Sequence, residues 1–326
     1  MKRANRRAPP PGEVVMKLTA AAGIAVVLFI FVFVFIKAAP ALSAGGLGLV
    51  TKAGFDRQIS EAFNAPTSSP TPTFGLAGLI AGTLTSSLLA LAAAGFLGVG
   101  AAVAITEFAP RPLASALLAL TRLLAAIPSV VFGLIGAIFV VPWIETAFIS
   151  VDMQIEFLDF FQMTGRNLLT SVIVLTFMTA PMVITLSADA ISAVPDTLRE
   201  TGLAFGMGRA RVVYKLVLPS ARPGITAGLL LGAGRGIGEA IAVSMVCGGV
   251  GMIPSLRHGA AALLTPILPL SAAIVNKSEA MSVPAVESAL FACGAMLLVM
   301  GAALSLAARL VSRRAPIGGA GQRRAL

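Results

Sequence analysis

The chain has 326 residues, 57% of them hydrophobic and only 12% charged, with a mean hydropathy of +0.93. Soluble domains carry about 25% charged residues, so a soluble globular chain is excluded, and several apolar runs reach the roughly 18 residues that span a bilayer core. The net charge of +10 does not mark a nucleic-acid binder. Most of the lysines and arginines fall on one side of the topology below, as the positive-inside rule expects, so they serve orientation and contact with membrane lipid.

Residues 1–16 are basic and Pro-rich (Lys2, Arg3, Arg6, Arg7, then Pro9 to Pro11) and read as a cytoplasmic tail. The first span is expected over residues 18–36. It is longer than the roughly 7–15 residues of a signal-peptide core, which favours an uncleaved anchor. Residues 39–74 end in APTSSPTPT, a turn-forming run that does not span, and are placed outside. The second span covers 76–105, where Gly78, Gly82, Gly95, Gly98 and Gly100 suit close helix packing. After the turn TEFAPRP, a third span is predicted over 113–141, kinked at Pro128. Residues 142–165, with Glu145, Asp152, Glu156 and Asp159, are external. A fourth span over 167–186 precedes a long cytoplasmic loop, 187–222. A fifth covers 224–250. Residues 251–285 return outside and include AALLTPILPL (261–270), too short to span and read as interfacial or re-entrant. The sixth span covers 285–310, and residues 313–326 form a basic tail. Six spans place both termini in the cytoplasm, flanking a single membrane domain over 17–312.

The cytoplasmic loop is polar and basic in an otherwise apolar chain. Gly206 and Gly208 permit sharp turns, and Pro195 and Pro219 mark helix starts or breaks. Between them, residues 197–205 have helical spacing, with Leu198 and Leu203 beside Arg199 and Glu200. A short surface helix presenting one face to a soluble partner is expected; the plainer alternative is an amphipathic interfacial helix.

The fifth span carries GAGRGIGEAIAV (232–243). Arg235 and Glu239 are four residues apart and are expected on one helical face. Each charge costs about 3 kcal/mol at a bilayer centre. A pair about 4 Å apart recovers roughly 4 kcal/mol at an effective dielectric of about 20. The two residues therefore read either as a structural ion pair or as part of a substrate pathway, with Gly232, Gly234, Gly236 and Gly238 clearing space beside them. No other chemistry competes. Cys247 and Cys293 read as small buried hydrophobes, and the single histidine, His258, rules out a multi-histidine metal site. No serine has a histidine and acid partner. No Walker A motif is present, so no ATP site and no cofactor is expected on this chain.

Glu200, Gly206, Leu218, Pro219 and Gly224 fall at the spacing of the EAA loop of ABC-importer permeases, with Thr201 and Gly202 where that family usually has two alanines. GRGIGEAIAV is similar to the G-R-A-I-G-E-T-x-A-V motif of phosphate-specific ABC transporter permeases. IPSVVFG (127–133) and TEFAP (106–110) resemble two further segments of the same permeases. Ala240 stands where threonine is usual. The likeness covers residues 76–250, and the AVSMVCG continuation resembles one of the two paralogues that pair in such transporters. The resemblance implies an all-α polytopic protein with the type I ABC-importer permease fold. It is then a non-enzymatic subunit that alternates access in the cytoplasmic membrane. It implies four kinds of partner: a paralogous permease in a heterodimer, two ATP-binding subunits, an extracytoplasmic phosphate-binding protein, and phosphate itself. It further implies that the 187–222 loop forms the coupling helix seated in the ATPase, and that Arg235 and Glu239 line the substrate pathway. Alternatives are a permease for another oxyanion, an intramembrane enzyme or a structural membrane subunit.

Overall fold

A computed structural model describes residues 11–64, 73–157 and 161–314. The basic residues near the N-terminus, most of the APTSSPTPT run, Asp159, Arg323 and Arg324 lie outside those residues. The helices are, in order, α1 (Pro11–Gly45), α2 (Gly48–Thr51), α3 (Phe55–Asn64), α4 (Ala77–Val103), α5 (Arg111–Ala125), α6 (Ser129–Ile135), α7 (Val141–Phe148), α8 (Val151–Glu156), α9 (Leu168–Ser192), α10 (Asp196–Ala204), α11 (Arg209–Val212), α12 (Leu218–Gly238), α13 (Ile241–Ser244), α14 (Leu270–Asn276) and α15 (Pro284–Arg314). Wide π-type turns extend α4 through Ala104–Phe108, join α6 to α7 through Gly136–Val140, and join α11 to α12 through Val213–Val217.

Among the described residues, six stretches are long and apolar enough to cross a membrane: Gly12–Gly45, Ala77–Phe108, Ser129–Phe148, Leu168–Ser192, Arg209–Gly238 and Pro284–Ala307. The bundle centre is α9, packed against α4 and α12. Small residues make this possible: Ala90, Ala94 and Ala102 of α4 are buried, as are Val174, Leu175, Met178 and Val183 of α9. Without a hydrophobic force between helices in lipid, close backbone approach supplies the packing energy. The outward faces stay apolar, with Phe96, Trp143 and Phe177 exposed, which suits a lipid solvent. The first span lies at the periphery on α15. There Phe33 meets Phe291 edge-on with centroids 5.7 Å apart, and Lys37 Nζ lies 2.9 Å from Glu287 Oε1.

Two span boundaries differ from expectation. The third span was expected over 113–141 with a kink. Instead α5 ends at Ala125, and the spanning stretch is Ser129–Phe148. Pro128 is the N-cap of α6, with φ −57° and ψ 138°. Proline has no N–H to continue the ladder and disfavours the α region in the residue before it, so the chain breaks rather than bends. Glu145, expected in an external loop, therefore sits on α7. The fifth span was expected as one segment over 224–250. It begins at Arg209, and its continuous helix stops at Gly238.

The apolar 261–270 stretch does not span. Ile267, Leu268 and Leu270 are fully buried. Its irregular backbone is satisfied within protein: Leu270 N–H donates to Thr83 Oγ1 at 2.9 Å, and Ile267 N–H donates to the Cys247 carbonyl at 2.8 Å. Non-helical backbone is tolerated in a membrane protein under that condition. Cys247 and Cys293 are free and buried.

Candidate coupling surface and substrate pathway

The loop between α9 and α11 contains the helix expected from its spacing. α10 spans Asp196–Ala204, with Glu200, Leu203 and Phe205 exposed, Phe205 at 83%. Its end is a Schellman cap: Met207 N–H donates to the Gly202 carbonyl at 3.1 Å and Gly206 N–H to the Leu203 carbonyl at 2.9 Å. That motif places the residue after the cap in the left-handed region, where glycine is favoured. Gly206 occupies it with φ +77°. Gly208, read as a second sharp turn, has an ordinary φ of −64° and precedes α11.

Behind this surface lies an apolar cluster that includes Val194, Val212, Val213 and Val217, with Leu218 packed against it. Gly202 faces that cluster: a Cβ there would lie 2.7 Å from Leu216 Cδ1 and 2.9 Å from Val212 Cγ2, a physical reason for glycine at a position where alanine is usual. Pro219 follows the wide turn Val213–Val217, at the start of α12. Gly224 is inside α12, not at its start, and a Cβ there would lie 2.4 Å from Ala190 Cβ. The five motif residues therefore divide. Glu200 and Gly206 form the exposed helix and its cap, and Leu218, Pro219 and Gly224 fix α12 against α9.

The charged contacts behind α10 were not foreseen. Glu107, in the wide turn that ends α4, has a side chain only 8% exposed and pairs with Arg199 of α10 at 2.8 Å. Arg199 Nη2 and Nε donate to Glu107 Oε1, and Nη2 also to the Ile191 carbonyl. Nη1 donates to the Val194 carbonyl and to Asp196 Oδ1. All five guanidinium N–H groups are thereby used. Hydrogen bonding to Glu107 holds the Arg199 proton more firmly than usual, against the opposing effect of burial. Arg209 of α11 donates to the Glu107 carbonyl and lies over the Phe108 ring. The signal was present in TEFAP, whose glutamate falls at the end of an apolar span.

The two charges of the fifth span are separated by a break in the helix. Glu239 is the C-cap of α12, with ψ 115°, so it does not share a helical face with Arg235. No ion pair within 4 Å joins them. Glu239 Oε1 accepts the Ala242 N–H at 3.0 Å, capping the first turn of α13. Its carbonyl accepts the Ser271 hydroxyl at 2.7 Å. Arg235 is half-buried and lines a cavity of about 800 Å³ whose other walls include Phe31, Leu231, Leu297 and Leu304. It makes no hydrogen bond or ion pair within the described residues. The four glycines do not act alike. Residues four apart share a helical face: a Cβ at Gly232 would lie 3.2 Å from Val183 Cγ2 and one at Gly236 3.9 Å from Ser87 Cβ, while one at Gly238 would meet nothing.

A six-span helical bundle with a short exposed helix between its fourth and fifth spans is the type I ABC-importer permease fold. The chain belongs to the family of binding-protein-dependent transport system inner membrane components, which it matches over residues 94–316. It is 34% identical over 249 residues to the probable ABC transporter permease protein YqgH of Bacillus subtilis, covering 76% of this chain and 75% of that one. It is 32% identical to the phosphate transport system permease protein PstC of Mesorhizobium japonicum, covering 79% and 78%. It is 30% identical to PstC 2 of Mycobacterium tuberculosis, covering 92% of each chain. Among solved structures, a bacterial ABC transporter involved in import of the acidic polysaccharide alginate superposes with a TM-score of 0.53 at 16% identity, covering 91% of this chain and 95% of that one. The MetNI methionine ABC transporter, inward facing, gives 0.50 at 16% identity, covering 71% and 92%. At these identities the solved structures speak to fold alone.

Proposed function

We propose that this chain is one of two paralogous permease subunits of an ATP-driven importer of inorganic phosphate in the cytoplasmic membrane, with both termini cytoplasmic. Two ATP-binding subunits dock on α10, and an extracytoplasmic phosphate-binding protein delivers the anion. The observation that carries the substrate reading is Arg235, a cation inside a span with no hydrogen-bond or ion-pair partner among the described residues. Such a charge is costly and is retained where an anion passes. The PstC names of several relatives favour phosphate. The exposed Leu203 and Phe205 on α10, held by the Schellman cap, support docking of a soluble ATPase.

Arg235 presents a planar fork of donors matched to phosphate oxygens. Glu239 acts from the break below it. One oxygen caps α13 and the other is free to accept the hydroxyl of the monohydrogen or dihydrogen anion. Passage requires binding that is favourable but escapable, and a single unclamped arginine meets that condition. ATP binding closes the motor and alternates the side to which this site opens. The test is Arg235→Gln in the reconstituted complex. Phosphate uptake is expected to be lost while the permease still co-purifies with its ATPase. Retained uptake refutes the assignment, and a complex that moves sulfate but not phosphate points to a different oxyanion.

A further inference from the structure

The TEFAP turn does no work in the transport reading above, yet it holds the most buried ion pair among the described residues. Glu107 sits at the cytoplasmic end of α4 by that topology. It receives two N–H groups from Arg199, 92 positions further along the chain, and its carbonyl receives one from Arg209. The Arg199 guanidinium also donates to the Ile191 carbonyl in the last turn of α9 and to the Val194 carbonyl just past its end, at 2.9 and 2.6 Å. The ends of α4 and α9 and the starts of α10 and α11 thus meet at Glu107, whose carboxylate is held by Arg199 and whose carbonyl is held by Arg209.

The consequence follows from connectivity. α9 and α11 flank α10 in the chain, so a push on α10 reaches them through the backbone. α4 has no such link. Its tie to α10 is this charged cluster, backed by Ala102 and Val103 in the apolar cluster beneath. We propose that Glu107 is a positioning residue that fixes the docking helix to α4, so that movement of α10 is passed to the second span together with the fourth and fifth. This rests on the reading of α10 as the ATPase-docking helix. A buried pair is poor evidence of added stability, since apolar replacements are often as stable. Its use here is rigid registration of elements that the chain does not connect.

The test uses the full chain in its complex with the ATPase, reconstituted in vesicles, and two variants. Glu107→Gln keeps the shape and removes the charge. Arg199→Lys keeps the charge but replaces the five-donor fork by a point charge. In Glu107→Gln, amide exchange over residues 196–204 is expected to rise roughly tenfold, while residues 168–185 keep wild-type protection. Phosphate moved per ATP hydrolysed is expected to fall roughly fivefold or more, with Arg199→Lys intermediate. A purely structural role lowers the yield of complex and leaves that ratio unchanged. If Glu107→Gln assembles poorly, Arg199→Lys carries both measurements. Unchanged exchange over 196–204, or an unchanged ratio in complexes that take up phosphate, overturns the proposal. A wild-type complex that hydrolyses ATP without moving phosphate contradicts the substrate reading instead, and the exchange measurement then decides the clamp alone.

Discussion

Gly206→Val separates backbone geometry from packing at the docking helix. Gly206 has φ +77°, and a Cβ built there meets no atom within 4 Å. The Cβ of valine therefore meets no neighbour, and its cost there is conformational. A non-glycine residue held in the left-handed region costs on the order of 1–3 kcal/mol, most for β-branched residues. At about 1.4 kcal/mol per decade, the capped conformation becomes roughly fivefold to a hundredfold scarcer relative to uncapped ones. If the ATPase recognises α10 only with its Schellman cap intact, the apparent affinity falls by up to the same factor, because binding is reduced by the competent fraction. The assay is titration of the purified permease complex with labelled ATPase subunit in detergent, with insertion checked by membrane yield. Gly206→Asn is the control: asparagine tolerates the left-handed region and should stay near wild type. Wild-type ATPase affinity for Gly206→Val would refute the reasoning and leave α10 an interfacial helix.

Three further outcomes are expected. Gly224→Ala forces a Cβ to within 2.4 Å of Ala190 Cβ, so α9 and α12 must separate; overpacking of this kind costs about 1–3 kcal/mol, and a lowered thermal midpoint in detergent checks it. Because Arg235 and Glu239 are not paired, Arg235→Gln and Glu239→Gln should each insert at normal levels, with the second lowering turnover; uptake recovered in the double variant would defeat the transport role of Arg235. A cysteine at Asp152 should react with an impermeant thiol reagent from outside and one at Arg209 only after the membrane is opened, and labelling of Arg209 from outside would invert the topology.

The spans were legible because apolar runs of this length have one solution in a bilayer. The short helix α10 was legible for a related reason: polar residues at helical spacing between Pro195 and Gly206 stand out against apolar flanks. Break points were not. Around Pro128 the sequence stays apolar on both sides, so a kinked helix and two helices have the same hydropathy, and the missing N–H of proline and its clash with the preceding residue decide locally. The break at Glu239 is subtler. Gly236 and Gly238 lower helix propensity by about 1 kcal/mol each, but whether a Gly-rich segment bends or ends depends on partners such as Ser271, which lies 32 positions away. The Glu107–Arg199 pair is hidden for the same reason. Each residue is visible locally, but their meeting depends on how α4 and α10 pack.

The central claim is that this chain moves phosphate in a complex driven by ATP. Uptake of radiolabelled phosphate into vesicles containing this permease, its partner permease, the ATPase and the binding protein tests it most directly. The account predicts uptake that requires internal or external ATP on the ATPase side, is not displaced by excess sulfate, and is absent with Arg235→Gln. Uptake that survives Arg235→Gln, or a complex that hydrolyses ATP but moves no phosphate, would contradict it.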